Sequence, residues 1–179
     1  MPWIVEYFRK NGLRAERQHL AFEPAIIDKL GPVPRKDIQV SFVGSLSSSH
    51  QARITLLEAV ANRFPLELWA PDLNGLAAHS PLHACFRGQV YGTEMYDVLR
   101  RSQITLNSHI SAAKGSAANM RLFEATGVGC FLLTDNMVDL RMLFEPNTQV
   151  GVYEDIEDCL KKIEHYLATS EETHCIARN

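Results

Sequence analysis

The sequence predicts an α/β fold, a Rossmann-like parallel sheet with helices on both of its faces. Three observations predict it. From about residue 38 onward, short apolar segments alternate with segments of helical periodicity, an order typical of βαβ units. The apolar segments carry few polar positions, as strands buried on both faces do. Finally, the chain has 179 residues, 46% of them hydrophobic, enough for one substantial core.

The individual elements follow from local patterns. The segment "IQVSFVG" is rich in β-branched and aromatic residues and ends in glycine, and "HQARITLLEAVANRF" places Ile54, Leu57 and Val60 on one helical stripe. The predicted strands are 38–44, 66–70, 104–107, 130–135 and 149–153. The predicted helices of this part are 50–64, 92–102, 119–126, 137–144 and 156–169.

The N-terminal part is organised differently. A short helix is predicted over 3–11, where Gly12 ends it. The segment "KLGPVPRKD" (29–37) contains one glycine, two prolines and several charges, which is typical of a linker. We therefore expect residues 1–37 to be the remnant of a preceding domain with its linker, and residues 38–179 to form the Rossmann-like domain.

Composition excludes several classes of function. The net charge of -3 gives no electrostatic reason to expect nucleic acid or an anionic membrane as partner. No apolar run approaches the roughly 20 residues of a transmembrane segment, and the N-terminus lacks the pattern of a signal peptide. We therefore expect a cytoplasmic protein.

Cysteine and histidine spacing gives no indication of a metal centre. The four cysteines form no CxxC pair, which favours reduced thiols that contribute to packing. His79, His83 and Cys85 lie close together in "HSPLHAC", but their spacing matches no standard zinc pattern. An ordinary loop is predicted there.

Ligands of such sheets bind at the carboxyl ends of the strands, so three loops are candidates: 44–50, 107–119 and 134–140. In the first, Gly44 and Ser45 precede a helix that carries His50 and Arg53 in its first turn. Glycine permits close approach of an anion, and a helix N-terminus offers free N–H groups. The alternative is a tight turn with a serine cap.

The second loop is the longer one. It follows Asn107, contains Lys114 among small residues, and ends at Asn119, the predicted cap of the next helix. A cation beside a helix N-terminus favours a diphosphate. Within that helix Arg121 and Glu124 are three residues apart and share a face, although a solvated surface pair would show the same spacing.

The two glycines after this helix are not predicted to bind a ligand. Gly127 and Gly129 precede a strand, whereas the glycines of a dinucleotide fingerprint follow one. Helix termination and a tight turn are predicted for this pair.

Two long segments resemble a known family. They are "VSFVGSLSSSHQARITLLEAV" and "LNSHISAAKGSAANMRLFEATGVGCFLLTDNMVDLRMLFEPNTQVGVYEDIEDCLKKIEHYL". Both are similar to the C-terminal half of GT-B glycosyltransferases, above all the CgeB-like (spore maturation protein-like) branch related to family 4. The resemblance covers about residues 38–170, and its most specific part is "NMRLFEATGVG…LLTDN…LFEPNTQVGVY".

The resemblance implies binding of a nucleotide sugar such as a UDP- or GDP-sugar, with no essential metal and an acceptor that it leaves unknown. By resemblance Glu124 contacts the ribose, and the backbone at Ala118 and Asn119 cradles the diphosphate. Arg53, Lys114 and Arg121 are candidate stabilisers of the leaving diphosphate. The candidate substrate-binding residues are Gly44, Ser45, His50, Arg53, Asn107, Lys114, Ala118, Asn119, Arg121 and Glu124.

The chain also departs from the family. Family 4 enzymes carry a second glutamate eight positions before the ribose-binding one, where this chain has Ser116. A GT-B enzyme has two Rossmann-like halves, so we expect this chain to need an N-terminal acceptor half or to self-associate. An isolated half would expose apolar surface around its strand ends.

Two other functions are compatible with the sequence. One is a non-catalytic module that binds a nucleotide or a protein, which Ser116 favours. The other is a small Rossmann-like enzyme such as a methyltransferase. A methyltransferase would have a glycine-rich first loop and an acidic residue ending the second strand. This chain has one glycine in that loop, and its second predicted strand ends in Ala70-Pro71-Asp72.

Overall fold

The computed structural model describes residues 2–110, 113–117 and 119–179. Its centre is a five-stranded sheet in which every pairing is parallel, with strand order β2-β1-β3-β4-β5. The strands are β1 (Ile38–Val43), β2 (Leu66–Trp69), β3 (Ser102–Asn107), β4 (Leu132–Asp135) and β5 (Gly151–Tyr153). All five predicted strands are confirmed.

Seven α-helices accompany the sheet in the described part of the chain. They are α1 (Pro2–Lys10), α2 (Gln51–Ala61), α3 (Leu82–Cys85), α4 (Gly92–Arg101), α5 (Met120–Gly127), α6 (Ile156–Ala168) and α7 (Ser170–Arg178). Helices α2, α6 and α7 contribute to one apolar cluster, and α4 and α5 to a second. Helices therefore cover both faces, which confirms the predicted fold class.

The strand order places a switch point between β1 and β3. The chain runs from β1 outward to β2, and then returns to form β3 on the other side of β1. In doubly wound sheets the connections diverge at such a point and leave a crevice at the carboxyl ends of the strands. Here that edge is formed by Val43, Asn107, Asp135 and Tyr153.

Some predicted elements differ from the structure. The helix predicted over 137–144 is wrong, because only a 3-10 turn, Leu140–Met142, forms there. Val138 and Met142 are exposed, so the apolar residues of this segment do not form one buried stripe. The segment predicted as a loop around His83 contains the four-residue α3.

Helix α7 was not predicted. Its sequence, "SEETHCIAR", buries only Thr173 and Ile176, and so lacks the apolar stripe that identifies a helix from periodicity. Among the described residues, no helix combines the length and the apolar character that crossing a bilayer requires.

The N-terminal part runs along the face covered by α4 and α5. The ring of Phe22 packs edge-on against Tyr96, with ring centroids 5.9 Å apart, and lies directly over Gly127. Arg17 donates a hydrogen bond to Asp139 at 3.0 Å. Residues 2–37 are thus attached to the sheet domain by aromatic and ionic contacts.

Candidate functional site

Arg53 connects the two loops that flank the switch point. Its Nη1 donates to the carbonyl of Ser45 at 2.8 Å, and its Nη2 donates to the carbonyl of Ser108 at 2.6 Å. Burial lowers the pKa of Arg53, while Asp135 and Tyr153 act in the opposite direction. Because a guanidinium stays charged in proteins, a positive charge is fixed at the carboxyl edge.

A cavity of about 210 Å³ opens beside the ends of β1 and β2. Gly44 and Ser45, two of the candidate residues, lie in its wall, and Arg121 reaches it from α5. The wall also contains Trp69 and Tyr91, which sequence analysis missed. Trp69 is the last residue of β2. Its position at the carboxyl end of a strand could have identified it as a candidate from the sequence.

Arg121 and Glu124 form an ion pair at 3.0 Å in which the side chains are only 14% and 16% exposed. The alternative of a solvated surface pair is therefore wrong. Arg121 Nε donates to the carbonyl of Val43 at 3.2 Å, which ties α5 to the end of β1. Burial lowers the pKa of Arg121, and Glu124 acts against that shift. Arg121 lines the cavity, whereas the described residues of the cavity wall do not include Glu124.

Asn119 caps α5 as predicted. Its Oδ1 accepts a hydrogen bond from the backbone N–H of Leu122 at 3.3 Å, and its Nδ2 donates to Oδ1 of Asn107 at 2.9 Å. Asn107 in turn donates to Oγ1 of Thr134 at 2.9 Å. A line of side-chain hydrogen bonds thus joins the N-terminus of α5 to the ends of β3 and β4.

Lys114 lies on the same loop but is engaged by the N-terminal helix. Its Nζ is 4.1 Å from the centroid of the Trp3 ring, a cation–π contact. The backbone of Lys114 has a positive φ of 48°, so this residue adopts the left-handed conformation typical of a tight turn. Ala118, the other candidate of this loop, lies outside the described residues.

Ser116 does not face the cleft. It is 4% exposed, and its hydroxyl donates to Oδ2 of Asp139 at 2.8 Å. Burial raises the pKa of Asp139, but the hydrogen bonds from Ala117 N and Ser116, together with the charge of Arg17, outweigh burial and lower it. Asp139 thus shapes the loop that precedes α5.

His50 has a local role in the described structure. Its Nδ1 accepts a hydrogen bond from the backbone N–H of Ser47 at 3.1 Å, and burial, followed by the charge of Arg53, lowers its pKa. The turn with a serine cap, the alternative for this loop, is thus formed by Ser47 and His50. Gly44 and Ser45 face the cavity instead.

The predicted residues therefore fall into three groups. Gly44, Ser45 and Arg121 share the cavity, and the Asn107–Asn119 pair lies at the N-terminus of α5. Glu124, Arg53, His50 and Lys114 have the separate contacts described above. Within residues 2–110, 113–117 and 119–179, no group of three or more His, Cys, Asp or Glu side chains is placed to hold a metal ion.

Fixed positive charge, a capped helix N-terminus and a cavity meet at the switch point of a parallel sheet. These features give the Rossmann-like domain a candidate ligand-binding edge. Residues 51–179 match the family described as glycosyl transferase-like, which is most of the chain, so the protein belongs to that family. No curated protein sequence matches it.

Solved structures share the fold. AviGT4, a glycosyltransferase involved in avilamycin A biosynthesis, is 17% identical with a TM-score of 0.57, over 91% of this chain and 52% of its own. The C-terminal domain of LpcC, a glycosyl transferase group 1 family protein from Francisella tularensis, is 11% identical with a TM-score of 0.58, over 90% of each chain.

A third structure, TarM of S. aureus with fondaparinux, α-GlcNAc-glycerol and UDP, is 12% identical with a TM-score of 0.57, over 93% of this chain and 34% of its own. The chain thus spans about half the length of AviGT4 but nine-tenths of the LpcC domain. Its fold is that of one Rossmann-like half of a GT-B glycosyltransferase.

Proposed function

We propose that this domain binds the nucleoside diphosphate of a sugar donor, such as a UDP- or GDP-sugar, and serves glycosyl transfer together with an N-terminal acceptor half. The observation that carries the proposal is the position of Arg121. Its guanidinium lies in the first turn of α5, at the switch point, and forms part of the wall of the 210 Å³ cavity.

Each part of the donor has a region of matching chemistry. The flat rings of Trp69 and Tyr91 in the cavity wall suit a nucleobase. The N-terminus of α5 suits the diphosphate, because unpaired backbone N–H groups and the helix dipole favour anions. Glu124 is the residue that would accept hydrogen bonds from the ribose. Binding there requires its carboxylate to turn from Arg121 toward the cavity.

Leaving-group stabilisation is the catalytic contribution that this half would make. Arg53 and Arg121 are charged groups already held in place, and positioned charges stabilise a developing diphosphate without reorganisation. A helix N-terminus contributes about 0.3–2 kcal/mol per charge, and a charge-assisted hydrogen bond contributes about 1.5–3 kcal/mol. Counted for two diphosphate charges and for one bond from each of the two arginines, these contributions reach about 4–10 kcal/mol, which supports a site of roughly micromolar to millimolar affinity.

Several finer assignments belong to this proposal. They are membership of the CgeB-like branch, kinship with family 4, a cytoplasmic location and transfer without an essential metal. The resemblance of the 119–136 block supports the first two.

A second function is a binding module without transfer activity. It is favoured by the hydrogen bond of Ser116 to Asp139, because the position of the second family 4 glutamate then offers no acid to the cleft. Release of nucleoside diphosphate from a sugar donor, followed by ³¹P NMR after an N-terminal acceptor half has been added, separates the two functions. A module that only binds would release none even then.

Calorimetry with UDP, GDP and ADP tests the proposed donor site. We expect one base to be preferred, and Glu124→Gln to weaken that nucleotide about tenfold or more, the loss of one hydrogen bond to a charged group. Glu157→Gln is the matched control, because Glu157 also pairs with a basic residue one turn away, but on an exposed surface. Equal affinities in both variants would contradict the role of Glu124.

A further inference from the structure

His109 is held at the carboxyl edge by both oxygens of one carboxylate. Its Nδ1 lies 2.7 Å from Oδ1 of Asp135, and its backbone N–H donates to Oδ2 of the same residue at 2.9 Å. An ionised carboxylate only accepts hydrogen bonds, so Nδ1 carries a proton. The other ring nitrogen, Nε2, is therefore the one that can bind something else.

That nitrogen has no hydrogen-bond partner among the residues that the structure describes, although the side chain is only 3% exposed. Buried polar atoms almost always have partners, and exceptions require an explanation such as an unseen water or ligand. Nε of Arg53 is the other atom in this situation. Arg53 donates to Ser108, the residue just before His109, so both atoms belong to one small region.

The charges of this region favour an anion once the histidine is protonated. Two charged side chains face it, Arg53 from α2 and Asp135 from β4. Burial raises the pKa of Tyr153 on β5 and of Cys159 on α6, so both of these groups stay neutral near pH 7. A proton added to Nε2 makes the ring of His109 an imidazolium, while Asp135 stays bound to Nδ1. The region then has two positive groups, Arg53 and the imidazolium, and one negative group, Asp135.

We propose that His109 is a phosphate-binding residue that takes up a proton from solvent as a nucleoside diphosphate binds. In this step a solvent proton bonds to Nε2, and the resulting N–H donates a charge-assisted hydrogen bond to an oxygen of the outer phosphate. Asp135 is the positioning residue that orients the ring. The inference rests on the proposed donor site and adds to it a residue and a proton.

Two substitutions separate binding by Nε2 from a structural role of the ring. His109→Asn keeps an amide N–H near the position of Nδ1, so the bond to Asp135 can persist while Nε2 is lost. His109→Gln carries its amide nitrogen to about the reach of Nε2, but it cannot become charged. His83→Asn is the control, since His83 is exposed and its ring forms a hydrogen bond with the carbonyl of Ala77 on the surface.

The measurement is calorimetry of a nucleoside diphosphate and the matching monophosphate, in two buffers of different ionisation enthalpy. We expect the wild-type chain to take up protons with the diphosphate but not with the monophosphate. His109→Asn should abolish the uptake and weaken the diphosphate about tenfold while leaving the monophosphate unchanged. His109→Gln should recover part of the affinity without proton uptake.

A readout on the unmodified chain covers the case in which a variant does not fold. The ¹⁵N shifts of the His109 ring should change to those of an imidazolium when the diphosphate is added, and should not change with the monophosphate. Unchanged proton uptake in a folded His109→Asn variant, or an unchanged ring in the wild type, would overturn this inference alone. Absence of binding by every nucleotide would overturn the proposed function and this inference with it.

Discussion

At the scale of single residues, the ion pairs of the helices differ most in their burial. Arg121 and Glu124 are 14% and 16% exposed, whereas Lys161 and Glu157 on α6 are 68% and 64% exposed. Water screens the second pair, and exposed pairs contribute little to stability. The first pair also holds α5 against the end of β1, through the bond from Arg121 to Val43.

Glu124→Gln should therefore destabilise the fold by about 1–3 kcal/mol, because it leaves a buried guanidinium without its charged partner. Glu157→Gln should change the free energy of unfolding by less than about 0.5 kcal/mol. Urea denaturation followed by circular dichroism measures both. Equal effects of the two substitutions would show that the buried pair adds no stability.

Asp139 gives the fold a dependence on acid. Its pKa in the folded chain is below the usual value, so its ionised form stabilises the fold above pH 4 or so, and this contribution is lost as the pH falls through the folded pKa. Asp139→Asn should lower the free energy of unfolding by about 1.5–3 kcal/mol at pH 7 and by less at pH 3. The exposed Asp28→Asn is the control, and a loss independent of pH would contradict this account.

At the scale of elements, α5 and α6 begin in the same way but in different places. Asn119 accepts from the N–H of Leu122, and Asp155 accepts from the N–H of Asp158 at 2.9 Å. Only the cap of α5 is also bonded to the end of β3, through Asn107. Asn119 is therefore a cap that belongs to the candidate site, and Asp155 is a cap of the same kind that does not.

Asn119→Ala and Asp155→Ala should each destabilise the chain by about 1 kcal/mol, the usual effect of losing an N-cap. Only Asn119→Ala should also weaken the nucleoside diphosphate, because the N-terminus of α5 then loses its fixed position. Thermal unfolding and calorimetry on the same samples measure the two quantities. A similar loss of affinity in Asp155→Ala would point to a general effect of stability instead.

How far the elements could be predicted depends on their burial. The five strands are short apolar segments inside the sheet, so their sequences alone identify them. Helix α7 buries two residues and shows no stripe, and segment 137–144 is shaped by the contacts of Asp139 rather than by its own periodicity. Such contacts come from residues distant in sequence, which a local pattern does not contain.

The site shows the same division. The spacing of Arg121 and Glu124 predicts that they share a helix face, and the structure confirms it. Their burial involves residues distant in sequence, such as Met95 of α4, whose sulfur accepts a hydrogen bond from Arg121 at 3.0 Å. The cavity beside Trp69 likewise forms between β1, β2 and α4 when the chain folds. No local sequence motif therefore predicts it.

At the scale of the whole molecule, the N-terminal part is joined to the domain at Gly127. A Cβ added there would lie 2.2 Å from the ring of Phe22, far inside contact distance. Gly127→Ala should therefore destabilise the chain by about 1–3 kcal/mol, as overpacking does, and Phe22→Ala should remove much of that penalty in the double variant. Gly31→Ala is the control, because a Cβ there meets nothing within 4 Å. Additive effects of the two substitutions would contradict the contact.

Several exposed apolar side chains lie in the segments that follow the strands. Tyr91 follows β2, Ile110 and Met120 follow β3, and Val138 follows β4. These side chains are between 38% and 92% exposed. Exposed apolar side chains are expected around the strand ends of an isolated half, and the interface that they would form stays a prediction. Its partner, whether an acceptor half or a second copy of the chain, stays a prediction.

The central claim is that a nucleoside diphosphate binds at the carboxyl edge, and an NMR titration of the ¹⁵N-labelled chain with UDP, GDP and ADP tests it most directly. A second cavity, of about 230 Å³, lies at the opposite edge beside Gln103 and Thr173, and serves as an internal control. We predict saturable shifts at Gly44, Asn119 and Glu124, with one base preferred. Shifts confined to Gln103 and Thr173, or none at millimolar nucleotide, would contradict the account.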